Sequence, residues 1–242
     1  MRSIRLADCE TLVLSLPEAA DRGASAAALC ARLGLDWRFV DATRASPGWI
    51  GCGLSHIRAL RAWDGARPLL ILEDDVAAGP AFAPIITVPA DADAVYLGVS
   101  RYGAVEPVDY VGFVDVLAME AAAPGWLRLH NMLGAHAILH LTPRWRTAAS
   151  EAMIEALIDR NWDPDRGLAA IQGAFNVYAP LEPAFHQAPD LQPEGRGWMQ
   201  HQATASLPPA PQVGDVVSIW VGDQQKPLRL VREGARLRWV WA

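Results

Sequence analysis

Three adjacent carboxylates, Glu73, Asp74 and Asp75, are the side chains of this sequence whose types and spacing best suit chemistry. They directly follow the apolar run 69–72, and glycine and proline residues stand on both sides of this segment. A short apolar run between turn-forming residues predicts a buried strand. In a mostly parallel sheet with helices on both faces, ligands bind beyond the carboxyl ends of the strands. The three acids therefore stand where such a sheet has its binding site.

The repulsion between these acids predicts a cation. Neighbouring carboxylates repel one another, and burying any of them without a partner is costly. Mg²⁺ or Mn²⁺, which take oxygen ligands and share sites with phosphates, would relieve the repulsion. A solvated acidic turn after a strand is the alternative, and the acids alone do not decide between the two.

A glycine-rich segment, Gly51 to His56, precedes this strand and predicts a helix after Gly53. Ser55 and His56 would lie in its first turn, where free backbone N–H groups and the helix dipole suit a phosphate. The alternative is that Ser55 caps the helix and His56 bonds a backbone carbonyl. Four apolar residues at every third position predict its buried face: Leu54, Ile57, Leu60 and Trp63.

The whole chain predicts an α/β fold, because strand and helix patterns alternate along it. Residues 188–212 are rich in proline, glutamine and glycine and predict a linker between residues 1–187 and 213–242. The last segment predicts three antiparallel strands, too few residues to fold alone, so it would pack on the main domain or on another copy in a homo-oligomer. The predicted strands of the main domain are 11–16, 37–40, 69–72, 94–98, 134–139 and 175–178, and the other predicted helices are 24–33 and 143–158.

Charge and cysteine content exclude several classes of protein. The net charge of −6 argues against a general nucleic-acid binder. Three cysteines without metal-like spacing indicate a reducing compartment rather than a disulfide framework. The first residues lack the apolar core of a signal peptide, and no apolar run approaches the roughly 20 residues that span a bilayer. We expect a cytoplasmic protein with at most peripheral membrane contact.

The order of these motifs resembles glycosyltransferase family 25, which includes bacterial lipooligosaccharide galactosyltransferases and the collagen galactosyltransferases. The resemblance is carried by Gly51-Cys52-x-x-Ser55-His56, a helix, and then Leu-Ile-Leu-Glu-Asp-Asp-Val ending at Val76. It covers residues 11–187 and leaves out the C-terminal strands. It implies a GT-A-like, Rossmann-type mixed sheet flanked by helices, in which the acidic motif follows a central strand; the C-terminal segment adds a small antiparallel β appendage.

The resemblance also implies which residues hold the donor. Ser15-Leu16 stands where the family has Asn-Leu, and Arg22 matches a following arginine. By resemblance, the nucleotide-sugar-binding residues are Leu16, Arg22, Ser55, His56, Glu73, Asp74, Gly98, His136 and Gln187.

The metal and the base follow from the same resemblance. Asp75, with Glu73, would bind Mn²⁺ or Mg²⁺, and His186 would be an additional contact to the metal or diphosphate. The family inverts configuration, which requires a general base, and Asp165 is the candidate.

Four of these residues have plainer alternatives. Arg22 could be a surface arginine at a helix start, and Asp165 a helix N-cap after a proline. His136 could be a satisfied core histidine, and Gly98 a simple turn glycine.

The expected activity is metal-dependent, inverting transfer of a hexose, galactose or glucose, from a UDP-sugar to an acceptor hydroxyl in surface-glycan (lipopolysaccharide) biosynthesis. One alternative is a catalytically silent relative that binds a glycan or a partner protein. Another is a metal-dependent phosphohydrolase that uses the acids at 73–75.

Overall fold

The computed structural model describes residues 1–105, 110–113, 116–191 and 207–242, with the backbone alone at 110–113. Residues 192–206, most of the predicted linker, lie outside the described residues. In the described chain the helices are α1 (Ala20–Leu33), α2 (Gly48–Ala62), α3 (Pro143–Glu155), which continues as a π-helical turn over Ala156–Arg160, and α4 (Pro164–Gln172). The strands are β1 (Arg2–Arg5), β2 (Glu10–Ser15), β3 (Trp37–Asp41), β4 (Leu69–Glu73), β5 (Val76–Ala78), β6 (Ile85–Val88), β7 (Ala94–Tyr96), β8 (Tyr102–Val105), β9 (Tyr110–Phe113), β10 (Met119–Ala123), β11 (Trp126–Leu129), β12 (Ala137–His140), β13 (Val177–Pro180), β14 (Phe185–Gln187), β15 (Val216–Val221), β16 (Gln224–Glu233) and β17 (Arg236–Trp241).

An eight-stranded sheet organises the main domain, in the order β10-β11-β13-β7-β12-β4-β2-β3. The pairs β2–β3, β2–β4 and β13–β7 are parallel, whereas β12 and β11 run antiparallel to their neighbours. The predicted α/β fold with a mixed sheet and a small C-terminal antiparallel sheet is thus confirmed. Strands β11 and β12, which lie inside the order, run opposite to the other strands of this sheet.

Strand β4 is the centre of both hydrophobic layers, which explains its unbroken apolar run. Leu69 and Ile71 face a cluster that contains residues of α2, α3 and α4. Leu70 and Leu72 face the opposite cluster, which contains residues of α1. All four side chains are fully buried, and each such burial stabilises the fold by about 2 kcal/mol. The layers hold the carboxyl end of β4 in a fixed position.

Helix α2 begins at Gly48, six residues before the start at 54 that a helix after Gly53 predicts. The glycines that suggested a turn lie inside the helix, because the neighbouring chain passes too close for a side chain. A Cβ on Gly51 would overlap the carbonyl oxygen of Thr43, and one on Gly53 would lie 2.9 Å from atoms of Leu157 and Pro164. Ser55 and His56 are therefore in the middle of the helix, and the prediction that they lie in its first turn is wrong.

The predicted buried face of α2 is largely correct. Ile57, Leu60 and Trp63 are buried, but Leu54 is 42% exposed. The buried stripe instead includes Ser55 and His56, because the helix face that meets β4 also meets its terminal acid. Of this polar pair, His56 meets Glu73, whereas Ser55 bonds the backbone of Gly51 and Thr43.

The C-terminal strands β15, β16 and β17 form an antiparallel sheet that contacts the main domain. The Leu237 N–H donates to Nδ1 of His130 (3.2 Å), and the Trp239 indole N–H donates to the carbonyl of Val116 (2.9 Å). The inner face of the sheet packs on a small cluster that also contains Val105 and Val116. The domain boundaries at 187 and 213 stay predictions. No helix in the described ranges is long and apolar enough to cross a membrane.

Candidate functional site

Strand β4 ends at Glu73, and Asp74 and Asp75 make the turn into β5. Glu73 continues the face of Ile71, whereas Asp74 continues that of Leu72, because side chains alternate along a strand. The three acids consequently have different neighbours, each set coming from a different part of the chain.

Glu73 meets two side chains of α2. Its Oε1 lies 3.2 Å from Nε2 of His56 and accepts from the thiol of Cys52 at 3.5 Å. Burial acts to raise the pKa of Glu73, but the hydrogen bond and charge of His56 outweigh it, so the pKa lies below its ordinary value. Glu73 is therefore held as a carboxylate. Burial, followed by the charge of Glu73, raises the pKa of the Cys52 thiol.

His136 lies directly before β12, the strand that pairs with β4. The Glu73 N–H donates to the His136 carbonyl at 2.9 Å. Burial lowers the pKa of His136 to about 4, so the imidazole is neutral at pH 7. Its Nε2 is buried and has no hydrogen-bond partner among the described residues. A Cβ on Gly98 would overlap this nitrogen. Gly98 thus makes room for the His136 ring, which is more specific than the turn role considered for it.

Asp74 contacts residues of the first strand–helix unit of the chain. The Ser15 hydroxyl donates to its Oδ2 at 2.8 Å, and Nη1 of Arg22 lies 3.3 Å from its Oδ1. Burial raises the pKa of Asp74, and the Ser15 hydrogen bond and the Arg22 charge oppose that rise. The Arg22 side chain is 31% exposed while that of Asp74 is 6% exposed. Arg22 is therefore directed at the acids rather than being a surface arginine at a helix start.

Leu16, beside Ser15, makes its hydrogen bond through its backbone carbonyl. Its carbonyl accepts from the Ala19 N–H at 2.9 Å. The carbonyl closes the turn that leads into α1, and the side chain is half-buried. In this arrangement Leu16 shapes the loop that presents Arg22.

Asp75 is fixed by the strand that returns late in the chain. Its Oδ2 accepts from Nε2 of Gln187 at 3.4 Å, and its carbonyl accepts from the Ala188 N–H at 2.7 Å. These contacts follow from the antiparallel pairing of β5 with β14. His186, on the same strand, is half-buried and close enough to contribute to the lowered pKa of His136.

Asp165 joins the same region from the start of α4. Its Oδ2 accepts from the Gly134 N–H at 3.0 Å. Burial raises the pKa of Asp165 to about 6, and the charges of Asp163 and Glu73 add to the rise. The alternative that Asp165 is the N-cap of this helix is wrong, because Asp163 occupies the N-cap position. Asp165 is thus a half-buried acid whose pKa is raised to about 6, and it lies close enough to Glu73 to feel its charge.

Ser55 has a structural position. It donates to the Gly51 carbonyl at 2.6 Å and accepts from the Thr43 N–H at 2.8 Å, and it is fully buried. These bonds fasten the segment before α2 to the helix. The phosphate-binding interpretation of Ser55 at a helix N-terminus is therefore wrong, because the helix begins seven residues earlier. The same correction applies to His56, whose contact is Glu73.

Two residues of the site were not among the predicted site residues. Ser15 was seen only as a substitute for an asparagine, and Cys52 only as part of a motif. Cys52 and His56 are four residues apart on one helix, a spacing that places them on the same face. The signal for Ser15 was its position at the end of the strand next to β4, where a polar side chain meets the acids.

The donor atoms at the acids differ in the ions they suit. Cys52 Sγ, His56 Nε2 and one Glu73 oxygen lie within 4.8 Å of one another, and such a sulfur–nitrogen–oxygen set suits zinc better than Mg²⁺. Asp75 lies beside an amide and offers only oxygen, which suits Mg²⁺ or Mn²⁺. Asp75 thus offers the ligand type that Mn²⁺ or Mg²⁺ prefers, and its pairing with Glu73 at one ion stays a prediction.

Comparison of the chain with models of known protein families gives no match, and comparison with curated proteins gives none. The resemblance to glycosyltransferase family 25 therefore rests on the motifs themselves.

Proposed function

We propose that this protein is a glycosyltransferase that moves a hexose from a UDP-sugar to an acceptor hydroxyl. The observation that carries the proposal is the convergence of distant residues on the acids that end β4. Arg22 comes from the first strand–helix unit, Gln187 from the last strand of the main domain, and Asp165 from α4. Such a convergence at the end of an internal strand is what the resemblance to a GT-A-like fold implies.

Arg22 and Asp74 form the diphosphate side of the proposed site. Asp74 holds the guanidinium, and the exposed part of Arg22 retains N–H groups that can donate to phosphate oxygens. Asp75 is the proposed ligand of Mn²⁺ or Mg²⁺, supported by its carboxylate beside Gln187. The ion would supply charge neutralisation for the departing diphosphate.

The opposite side of the acids suits the sugar and the acceptor. Neutral His136 can exchange hydrogen bonds with hydroxyl groups, and Gly98 leaves the space that its ring needs. Asp165 is the proposed general base, which takes the proton of the acceptor hydroxyl. A base whose pKa is near 6 is mostly ionised at pH 7 and still basic enough to accept a proton.

A catalytically silent glycan- or partner-binding relative is the second candidate. The observation in its favour is that Asp74 and Glu73 already have partners, Arg22 and His56, within the protein. A protein that binds no cation at these acids would need such partners to compensate the charges of the acids. The two candidates differ in whether a nucleotide sugar binds in a metal-dependent way.

The test is calorimetric binding and UDP release with a panel of UDP-sugars, with and without Mn²⁺. The variants are Asp75→Asn, which keeps the shape of the side chain, and Asp223→Asn, an exposed control in the turn between β15 and β16. The proposal expects metal-dependent binding that Asp75→Asn loses and Asp223→Asn keeps. A folded wild-type protein that binds no nucleotide sugar in the presence of Mn²⁺ would favour the silent relative.

A further inference from the structure

A pocket of about 100 Å³ lies where the C-terminal sheet meets α4, outside the acids at the end of β4. Its walls come from β8, from the segment His130–Asn131 after β11, from α4 with the preceding Trp162, and from β17. It has room for a small polar group rather than for a whole oligosaccharide. Nothing in the proposed donor site uses it.

The charged side chains that line this pocket are all cationic. They are Arg166, Arg236 and Arg238, and none of the lining residues is an acid. Two acids lie just behind the lining, because Glu233 pairs with Arg238 at 3.1 Å and Glu120 lies 3.3 Å from His130. Nε of Arg236 is buried without a hydrogen-bond partner among the described residues. His130 adds no negative charge, and burial lowers its pKa to about 4, so it is neutral at pH 7. The protein as a whole carries a net charge of −6, so the local excess of positive charge is contrary to the average of the chain. A pocket of this kind favours an anion.

The arginines of the pocket are held in place before any ligand arrives. Arg236 donates through Nη2 to the Ala170 carbonyl at 2.8 Å. Its stem lies against Gly173, where a Cβ would be 2.5 Å from the arginine Cγ. The guanidinium of Arg166 lies 4.8 Å from the centre of the Trp162 ring. Prior ordering lowers the entropy that binding would cost, and a planar guanidinium matches phosphate and carboxylate geometry.

The pocket and Asp165 are built from the same two segments. Arg166 follows Asp165 directly at the start of α4. The segment that begins with His130 and Asn131 in the pocket wall reaches Gly134, whose N–H is bonded to Asp165. The pocket therefore adjoins the two segments that hold the proposed base.

We propose that this pocket binds an anionic group, a phosphate or a carboxylate, carried by the acceptor glycan. The role of the anion as part of an acceptor rests on the proposed glycosyltransferase function, whereas anion binding itself does not. The pocket would make acidic glycans better acceptors than neutral ones, because it places a charged sugar near Asp165.

The experiment titrates the full-length protein with glucose 6-phosphate, glucuronate and glucose, followed by NMR or calorimetry, without nucleotide or metal. We expect one or both anionic sugars to bind and glucose not to bind; which of the two binds distinguishes phosphate from carboxylate recognition. Raising the ionic strength should weaken binding. Arg238→Gln should weaken it about ten-fold, the effect of one lost charge-assisted hydrogen bond. Arg229→Gln, an exposed arginine of the same sheet that does not line the pocket, is the matched control.

Glucose that binds as tightly as the anionic sugars would overturn the proposal, as would the absence of anion binding to the folded protein. Equal affinities for wild type and Arg238→Gln would also overturn it. A second variant, Arg166→Gln, repeats this comparison on α4. Anion binding in a protein that binds no UDP-sugar would remove the glycosyltransferase function and retain the anion pocket. UDP-sugar transfer without anion binding would retain the glycosyltransferase function and remove the anion pocket.

Discussion

The backbone of Gly98 lies against the imidazole of His136 so closely that a Cβ on Gly98 would overlap Nε2 of the ring. Gly98 follows β7, and His136 precedes β12, the neighbouring strand. The pair fixes the ring next to Glu73, whose charge opposes the lowering of the His136 pKa.

Substitution of Gly98 by alanine should destabilise the protein, because either the ring or the strand end must move. We expect a loss of about 1–3 kcal/mol in the free energy of unfolding, the usual cost of overpacking. Chemical denaturation measures it. Gly48→Ala is the control, since a Cβ there meets no atom within 4 Å and the residue lies in the first turn of α2. Equal stabilities of the two variants would show that His136 adapts without cost.

Asp165→Asn should lower the activity without lowering the stability of the fold. As a general base, Asp165 would be needed for transfer, so we expect a loss of about 10²–10⁴-fold in kcat. Wild-type activity should rise with pH through about 6, where the carboxyl group ionises. A pH–rate profile without this rise, or an active Asn variant, would exclude Asp165 as the base.

The same substitution should stabilise the fold at pH 7. The folded pKa of about 6 lies above the ordinary pKa of 3.8, so the folded state binds the proton more tightly than the unfolded state. Stability attributable to Asp165 is therefore greatest at low pH and falls as the pH rises between these values. Removing the charge should recover up to about 3 kcal/mol at neutral pH and nothing at pH 3. Denaturation of both proteins at the two pH values tests this difference.

Arg22→Gln should weaken donor binding. The variant leaves the charge of Asp74 uncompensated and removes N–H donors from the phosphate side, so we expect about ten-fold weaker UDP binding by calorimetry. Arg32→Gln, an exposed arginine of the same helix, is the control. If both variants bind UDP like the wild type, Arg22 serves only to compensate Asp74.

Ser55→Ala should affect stability rather than donor binding. The hydroxyl bonds the Gly51 carbonyl and the Thr43 N–H, and its loss leaves the Thr43 N–H without this partner, whereas the Gly51 carbonyl keeps its place in the helix ladder. We expect the free energy of unfolding to fall by about 1–3 kcal/mol. Ser218→Ala, on an exposed position of β15, should cost much less. A specific loss of UDP affinity in a fully stable Ser55→Ala protein would contradict the structural role.

Elements whose signals are local could be predicted from the sequence. The apolar run of β4, the Gly34 end of α1 in a left-handed conformation, and the Thr142 cap before Pro143 all form as expected. Each depends on residues within a few positions, where propensity and pattern act directly.

Features that depend on distant contacts could not be predicted. The start of α2 was misplaced because Gly51 and Gly53 are glycines for packing reasons, which only the fold reveals. The bond of Ser15 to Asp74 joins positions 59 apart, and no local pattern shows which acid a given serine meets. The resemblance directed attention to the region around the acids, but it did not distinguish the structural Ser55 from the residues beside it.

The contact between Asp75 and Gln187 spans 112 positions of the chain. The acids consequently acquire their complete surroundings only after the last strand of the main domain has paired with β5. Long-range pairings of this kind slow folding, because the loops must close before the contacts can form. A ligand that needs all three acids would therefore bind only the finished fold, and it would stabilise the whole main domain by mass action. Ligand binding in this protein would thus report that folding is complete.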